Sequence, residues 1–255
     1  MRYLFLLREF VKRDFQSRYA GSLLGFLWSL IQPAWQLVLF SFVFATVLKI
    51  PLTGERTENF AIFLFCGLIP WLAVQEGIQR AATAITDNAN LVKKIHFPAE
   101  ILVLAVVLAA IQHQVIASVF FVVVLAVMGQ LELGGWPLLA VALPLQVGLT
   151  LGVGLFAATA NTFFRDIGQL LGMLLMGWFY FTPIVYPISQ VPEEHVGMLE
   201  ANPTTPLVGL YRQIFLGGTL EEAGNLVPLV VAAAVSLVIG LALFRRMKPH
   251  FPDEL

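Results

Sequence analysis

The sequence predicts an all-α integral membrane protein with six transmembrane helices, an N-terminal interfacial helix and re-entrant helices on the outer side. Three observations support this fold class. Hydrophobic residues make up 58% of the 255 residues, charged residues only 12%, and the mean hydropathy is +0.83. Six apolar runs approach the roughly 20 residues that a helix needs to cross a bilayer. The alternating ten-residue segments typical of an outer-membrane barrel are absent from the sequence.

Each predicted span is a stretch of chain with few charges or none. A soluble globular domain is excluded, because it would need charged and polar residues over much of its surface. Helices are the expected spanning element, since they satisfy their own backbone polar groups in hydrocarbon. The predicted spans of this single transmembrane domain, 1–255, are residues 28–48, 60–82, 101–128, 136–160, 170–186 and 226–244.

The 15 Lys and Arg residues set the predicted orientation, because cytosolic flanks carry an excess of positive charge. With six spans both termini share a side, and placing them in the cytosol leaves three basic residues outside, Lys49, Arg56 and Arg212. We therefore expect cytosolic termini and a cytosolic tail at 245–255. The net charge of −1 and the lone Cys66 carry no information about compartment.

The N-terminal segment, 1–27, reads as an interfacial helix that is retained rather than cleaved, since charges recur through Arg18. Apolar residues at helical spacing occupy one face, and the opposite face is charged or polar. The apolar face comprises Leu4, Leu7, Val11 and Phe15, and the polar face Arg8, Glu9, Lys12, Arg13 and Gln16. The pattern fits a membrane-surface anchor and a contact with a cytosolic partner equally well.

The cytosolic loop at 83–100 carries a second short amphipathic helix. Thr86, Asp87 or Asn88 can cap it, and Pro98 stops it. One face carries Leu91, Val92 and Ile95, and the other Lys93 and Lys94. Such a helix either docks into a partner protein or rests on lipid headgroups.

Polar residues within the spans are functional candidates, because they are costly in a membrane. Glu76 precedes Arg80 by four residues, the favourable order for a helical ion pair, so a structural role is expected. Interhelical hydrogen bonds are the expected role of Gln112, His113 and Gln114. A solvated turn accounts for Asn161, Arg165 and Asp166 as well as a functional role does.

Several aromatic residues lie deeper than the interfacial belts that anchor most spans. Flat aromatic rings can stack on sugar rings, whereas lipid contact or core packing explains most Phe residues equally well. The candidate channel-lining residues are Trp35, Phe42, Trp178, Tyr180, Phe181 and Tyr186.

The outer region, 187–225, follows a stretch in which Pro183 and Pro187 break the fifth helix. Residues 201–216 read as a helix that dips back into the membrane. Re-entrant backbone is tolerated only beside protein or a water-filled cavity. This segment therefore indicates a pathway for a transported substrate near the first and fifth spans.

Five segments together resemble the signature blocks of type-2 ABC transporter permeases, in the right order and over nearly the whole chain. The resemblance is strongest to permeases that export lipid-linked polysaccharides such as O-antigen, capsule or teichoic acid. The segments are residues 18–33, Leu91-Val-Lys-Lys-Ile-His-Phe-Pro98, Asn161-Thr-Phe-Phe-Arg-Asp-Ile167, Pro183-Ile-Val-Tyr-Pro187, and Asn202-Pro203 with Tyr211-Arg212.

The resemblance implies the type-2 ABC exporter fold in a bacterial inner membrane, with a homodimer enclosing the channel above two copies of a separate ATP-binding subunit. It implies an undecaprenyl diphosphate-linked glycan as substrate, and a periplasmic gate in the re-entrant region. It makes 88–97 the coupling helix, with docking residues Asn90, Leu91, Val92, Lys93, Lys94, Ile95 and Phe97. It makes the N-terminal helix a gate or docking element, with Arg8, Lys12, Arg13 and Arg18.

The sequence lacks a G-x-x-x-x-G-K-[ST] phosphate loop, so we expect ATP and Mg²⁺ to be bound by the partner subunit. We also expect this chain to have no catalytic, metal or nucleic-acid site. An intramembrane enzyme is disfavoured, because the four His residues show no metal-ligand spacing. An ion-coupled transporter is disfavoured, because paired intramembrane charges and internal repeats are not clear. A permease for drugs or small lipids is the nearer alternative.

Overall fold

The structure is a computed structural model that describes residues 2–19, 28–49, 51–52, 54–94 and 98–255. Within these ranges the chain is built of helices joined by loops. The α-helices are α1 (Arg2–Tyr19), α2 (Trp28–Phe40), α3 (Phe60–Thr83), α4 (Ala89–Lys94), α5 (Glu100–Val127), α6 (Leu139–Phe163), α7 (Ile167–Tyr180), α8 (Glu193–Glu200), α9 (Thr204–Phe215), α10 (Val227–Met247) and α11 (Phe251–Glu254). A π-helical segment, Ser41–Val47, continues α2.

Four helices in the described part of the chain are long and apolar enough to cross a membrane. They are Phe60–Thr83, Glu100–Val127, Trp136–Phe163 and Val227–Glu254, and they coincide with four of the predicted spans. Outward-facing valines on α10, including Val230, Val231 and Val238, give it an exposed apolar surface of the kind that lipid covers. The fold is therefore that of a multi-pass helical membrane protein.

The fifth predicted span differs from the helix that the structure contains. We expected helix to Tyr186, whereas α7 begins at Ile167 and ends at Tyr180. Pro183 cannot continue the ladder of helical hydrogen bonds, and the Thr182 hydroxyl instead donates to the Trp178 carbonyl at 2.8 Å. The chain beyond Tyr180 is therefore a turn that leads to α8.

Helix α3 lies at the centre of the bundle, packed between α5, α6 and α9. Its most apolar 18-residue window is 78% buried, compared with 22% for that of α10, which lies on the periphery. Cys66 is completely buried in α3.

The pair α6–α10 is in direct backbone contact. A Cβ added at Gly152 would overlap the backbone of Ser236 and Leu237, and one at Gly240 would overlap the Gly152 carbonyl. Small residues allow membrane helices to approach this closely. The packing of α6 against α10 therefore requires glycine at positions 152 and 240.

The bundle has two distinct ends. We call the end that carries α1, α4 and α11 the terminal end. There a compact apolar cluster, the terminal-end cluster, joins the ends of α3, α6 and α10 to the start of α5. Its buried members include Ile85, Leu102, Leu155, Phe244 and Phe251, and Phe10 and Val92 pack against it.

The opposite end, which we call the loop end, carries α8 and α9. Most of α9 is buried against α3. Two residues that precede α3, Pro51 and Arg56, are hydrogen-bonded to other segments of the loop end. The Arg56 guanidinium donates to the Glu222 carboxylate at 2.6 and 2.7 Å, and Gln190 Nε2 donates to the Pro51 carbonyl at 2.8 Å.

Candidate functional site

The predicted coupling helix is attached to the end of α3 by a short polar turn. A 3₁₀ turn, Thr86–Asn88, precedes α4. Thr86 Oγ1 donates to the Thr83 carbonyl at 2.9 Å, Thr83 Oγ1 donates to Asp87 Oδ2 at 2.7 Å, and Asn88 Nδ2 donates to the Ala84 carbonyl at 2.9 Å. These side chains, which the sequence marked as caps of the short helix, bind back to α3. The turn that precedes α4 is therefore hydrogen-bonded to the end of α3.

The described residues of helix α4 differ in exposure. Asn90 and Lys93 are exposed and Leu91 is half-buried, whereas Val92 packs against the terminal-end cluster. Lys94 is the last residue of the helix. The predictions for Ile95 and Phe97 fall outside the described residues.

Helix α1 lies along α5 and contributes Phe10 to the packing around the terminal-end cluster. Arg8, Lys12 and Arg13 are exposed, and Arg18 lies near the helix end. Residues 20–27, which precede α2 in the sequence, lie outside the described residues. The terminal end thus displays several exposed basic residues on α1 and the exposed Lys93 on α4.

The candidate channel-lining aromatics lie on α2 and its π-helical continuation, on α7 and in the turn after α7. Trp35 on α2 and Phe42 on the continuation are 61% and 59% exposed, and Tyr180 and Phe181 are also exposed. Phe40 of α2 stacks on Phe179 of α7, with 5.7 Å between the ring centroids. This contact holds α2 against α7, so exposed aromatic rings are found on two helices that touch.

Trp178 and Tyr186, from the same predicted set, are half-buried and hydrogen-bonded. Trp178 Nε1 donates to Asn202 Oδ1 at 2.8 Å, and its ring meets Trp71 edge-on at 5.9 Å. The Tyr186 hydroxyl donates to the Tyr180 carbonyl at 2.9 Å. Their indole and phenol rings therefore hold the turn after α7 in place.

Asn202 is the centre of a buried polar network at the loop end. Its side-chain amide donates to Thr182 Oγ1 and to the Phe181 carbonyl, both at 3.0 Å, and its oxygen accepts from the Thr204 hydroxyl at 2.8 Å. The sequence marked Asn202 only as part of a family motif. Its partners come from the turn after α7, about 20 positions earlier in the chain, and no local pattern indicates them.

Arg212 fixes the same turn to α3. Its guanidinium carbon lies 3.7 Å from the centroid of the Phe63 ring, and Nη2 donates to the carbonyls of Pro183 and Ile184 at 2.8 and 3.3 Å. A planar guanidinium suits this combination of stacking and donation better than an ammonium group does. Arg212 thus joins α9, α3 and the turn after α7.

The prediction of interhelical hydrogen bonds for the third span is confirmed at Gln114. Gln114 and Gln146 exchange hydrogen bonds of 2.7 and 3.2 Å, and the Tyr211 hydroxyl donates to Gln146 Oε1 at 2.6 Å. This network links α5, α6 and α9 in the middle of the apolar bundle.

The Glu76 carboxylate lies 3.8 Å from Arg80 in the predicted ion pair, and 3.4 Å from His113 Nδ1 of α5. The structural interpretation of the Glu76 pair is therefore supported, with His113 as an additional partner.

A solvated turn was one of the two interpretations left open for Asn161, and it does not hold, because Asn161 is buried. Its side-chain oxygen accepts from the Gly168 backbone N–H at 3.0 Å and so supports the first turn of α7. Arg165 and Asp166 are exposed, as that interpretation requires.

The sequence as a whole is similar to polysaccharide transport proteins. It is 30% identical to the O-antigen export system permease protein RfbA of Myxococcus xanthus, with 98% of this chain and 95% of the relative covered. A Klebsiella pneumoniae protein of the same name is also 30% identical, with 99% and 96% covered. The polysialic acid transport protein KpsM of Escherichia coli is 26% identical, with 91% and 90% covered.

The model of one protein family, described as ABC-2 type transporter, matches residues 6–216. This range includes most of α1 and all of α2 to α9. The match covers far more than half of the chain, and the long apolar helices agree with it. The chain therefore belongs to the ABC-2 type transporter family of membrane proteins.

Proposed function

We propose that this chain is the membrane-spanning subunit of an ATP-driven exporter that moves a lipid-linked polysaccharide, similar to O-antigen, from the cytosol to the outer side of the membrane. The observation that carries the proposal is the end-to-end similarity to two permeases of O-antigen export. The similarity to a polysialic acid transport protein supports polysaccharide export as the common activity and keeps capsule-type glycans as the second candidate substrate.

The proposed membrane is the bacterial inner membrane, with six spans and both termini in the cytosol. The terminal end is then cytosolic and the loop end periplasmic. Helix α2 with its π-helical continuation, Trp28–Val47, matches the roughly 30 Å of a bilayer core. The 14 residues of α7 reach only about 21 Å. The turn after α7, buried around Pro183 and Ile184, would complete the crossing inside protein.

The energy would come from a separate subunit that binds ATP and Mg²⁺ and docks on α4. The exposed Asn90 and Lys93, with the partly exposed Leu91, are available for that contact. Because the turn before α4 is hydrogen-bonded to the end of α3, movement of α4 would reach the central helix of the bundle.

The translocation path would lie between two copies of the chain, along α2 and α7. Exposed Trp35, Phe42, Tyr180 and Phe181 provide flat rings on which sugars can stack while sliding. The α8–α9 region, held to α7 by Asn202 and Arg212, would close the path on the periplasmic side.

Purification of the tagged chain from its native membrane in mild detergent tests this function. We expect an ATP-binding subunit to co-purify in equal amount, and loss of the gene to remove a surface polysaccharide. Isolation of the chain without an ATPase, together with an unchanged surface glycan, would contradict the proposal.

A Leu91→Asp substitution tests the docking surface. We expect the ATP-binding subunit to be lost from the purified complex, because a charge replaces a partly exposed apolar contact. The matched control is Leu220→Asp at the loop end, where Leu220 is exposed and distant from α4 along the chain. The control should retain the subunit; retention by both variants would remove Leu91 from the docking surface.

A further inference from the structure

The last residues of the chain, 248–255, fold back beneath α4. The short helix α11 contacts both α4 and α6. Phe251 is fully buried in the terminal-end cluster, edge-on to Phe244 of α10 at 5.2 Å and tilted against Phe163 of α6 at 6.1 Å. Val92 of α4 packs against the same cluster. The tail therefore fills the space between α4 and the ends of two long helices.

An ionic contact adds a second connection at this position. Lys248 Nζ lies 2.9 Å from Glu100 Oε2, and Arg245 Nε lies 3.9 Å from Glu100 Oε1. Glu100 is the first residue of α5, where a carboxylate is favoured by the helix dipole, and it follows the loop that leaves α4. The beginning of α5 is thus fixed to the end of α10.

The helices that receive these contacts are tightly joined to each other. Gly152 of α6 and Gly240 of α10 bring the two backbones into contact. Because closely packed interiors transmit displacement rather than absorb it, the pair α6–α10 is expected to move as one unit.

We propose that residues 248–255 form a brace that passes displacement of α4 to the pair α6–α10, with Phe251 as its packed contact and Lys248–Glu100 as its ionic contact. The brace rests on the proposed function, in which α4 receives movement from the ATP-binding subunit. Phe251 is then a positioning residue that acts through α4. If the tail only filled space, changes in it would affect assembly and stability but not the amount of polysaccharide exported per ATP hydrolysed.

Phe251→Ala in the full-length complex with its ATP-binding subunit tests the brace. Subunit stoichiometry, ATPase rate and surface polysaccharide are measured in parallel. We expect normal stoichiometry and ATPase rate with export lowered about tenfold, within the roughly 5- to 150-fold range of coupling between sites. Phe251→Leu, which retains most of the buried volume, should restore most of the export.

Charge exchange provides an independent variant should Phe251→Ala fail to assemble. Lys248→Glu and Glu100→Lys are each expected to lower export, and their combination to restore it in part, because the double variant rebuilds the ion pair with reversed signs but places a cation beside Arg245 at the start of α5.

Two results would overturn the brace. One is normal export by Phe251→Ala in an intact complex. The other is a combined result, in which Phe251→Ala loses the ATP-binding subunit and the Lys248→Glu/Glu100→Lys double variant does not regain export. The tail would then only support docking of the subunit. A wild-type complex that lacks an ATPase or exports no polysaccharide would instead refute the proposed function.

Discussion

Trp35 and Trp178 belong to the same candidate path but lie in different surroundings. Trp35 projects from α2 and is 61% exposed. Trp178 donates its indole N–H to Asn202 and packs against Trp71. A ring of the first kind is available to a substrate, whereas a ring of the second kind maintains the turn after α7.

We predict that Trp35→Ala lowers export while leaving stability nearly unchanged, since exposed substitutions usually cost about 0.5 kcal/mol or less. Trp178→Ala should lower both, with about 3–5 kcal/mol of stability lost when a packed Trp is truncated. Thermal unfolding in detergent followed by circular dichroism, together with surface polysaccharide measurements, distinguishes the two.

Trp178→Phe serves as the control, because it retains a ring but removes the donor to Asn202. Its stability should lie between wild type and Trp178→Ala. Equal stability of Trp35→Ala and Trp178→Ala would contradict the structural assignment of Trp178.

Single polar residues were visible in the sequence, but their partners were not. Gln114 and Gln146 are 32 positions apart, and the Pro70 carbonyl that Gln146 Nε2 reaches is 76 positions away. Hydropathy marks such residues as costly in a membrane, yet pairing across helices depends on packing that no local pattern encodes. Val92 shows the same limit, since the amphipathic pattern marked it as apolar but did not indicate its packing against the terminal-end cluster.

Among the helices, the pair α6–α10 depends most directly on glycine. We predict that Gly152→Val destabilises the protein by about 1–3 kcal/mol or prevents its accumulation, because an added side chain would overlap the α10 backbone. Membrane levels and thermal unfolding in detergent measure this effect.

Gly148→Ala is the matched control on the same helix. A Cβ at Gly148 would meet the Ala233 methyl group at 3.6 Å, an ordinary van der Waals distance. This variant should accumulate and unfold like wild type. A tolerated Gly152→Val would show that α6 and α10 can separate at little cost.

Helices with continuous apolar sequence were the most predictable elements. The bounds of α3, α5 and α10 lie within a few residues of the predicted spans, because length and hydropathy alone define a crossing helix. The helix α7 was overestimated, since Tyr186 and its apolar neighbours extend the hydropathy signal beyond the proline-induced end. The tail at 248–255 gave no signal, as Phe251 is apolar among polar residues and its role depends on tertiary contacts.

Across the whole molecule, the Arg56–Glu222 ion pair connects the first loop of the loop end to the last. The hydrogen bond from Arg56 lowers the pKa of Glu222, with a further contribution from the Thr219 backbone N–H. A carboxyl group whose pKa is lowered by folding stabilises the fold above its unfolded pKa, and this contribution is lost as the pH falls through the folded-state value.

We predict that wild type is more stable than Glu222→Gln at neutral pH and that the difference disappears on acidification. Both groups are partly exposed, so high salt should also reduce the difference. Unfolding temperatures measured across pH check the prediction. Glu221→Gln, at the exposed neighbouring position, keeps the Arg56–Glu222 pair and should follow the wild-type profile. Parallel profiles for wild type and Glu222→Gln would contradict the assignment.

Cys66 has a practical consequence for studying the assembled transporter. It is the only cysteine of the chain and lies completely buried within the central helix α3. A thiol-reactive probe therefore has no accessible native target while the protein stays folded. Trp35→Cys or Phe42→Cys would introduce the single accessible labelling site of the chain, so spin labels can test whether two copies assemble and whether the proposed ATP-binding subunit changes their separation.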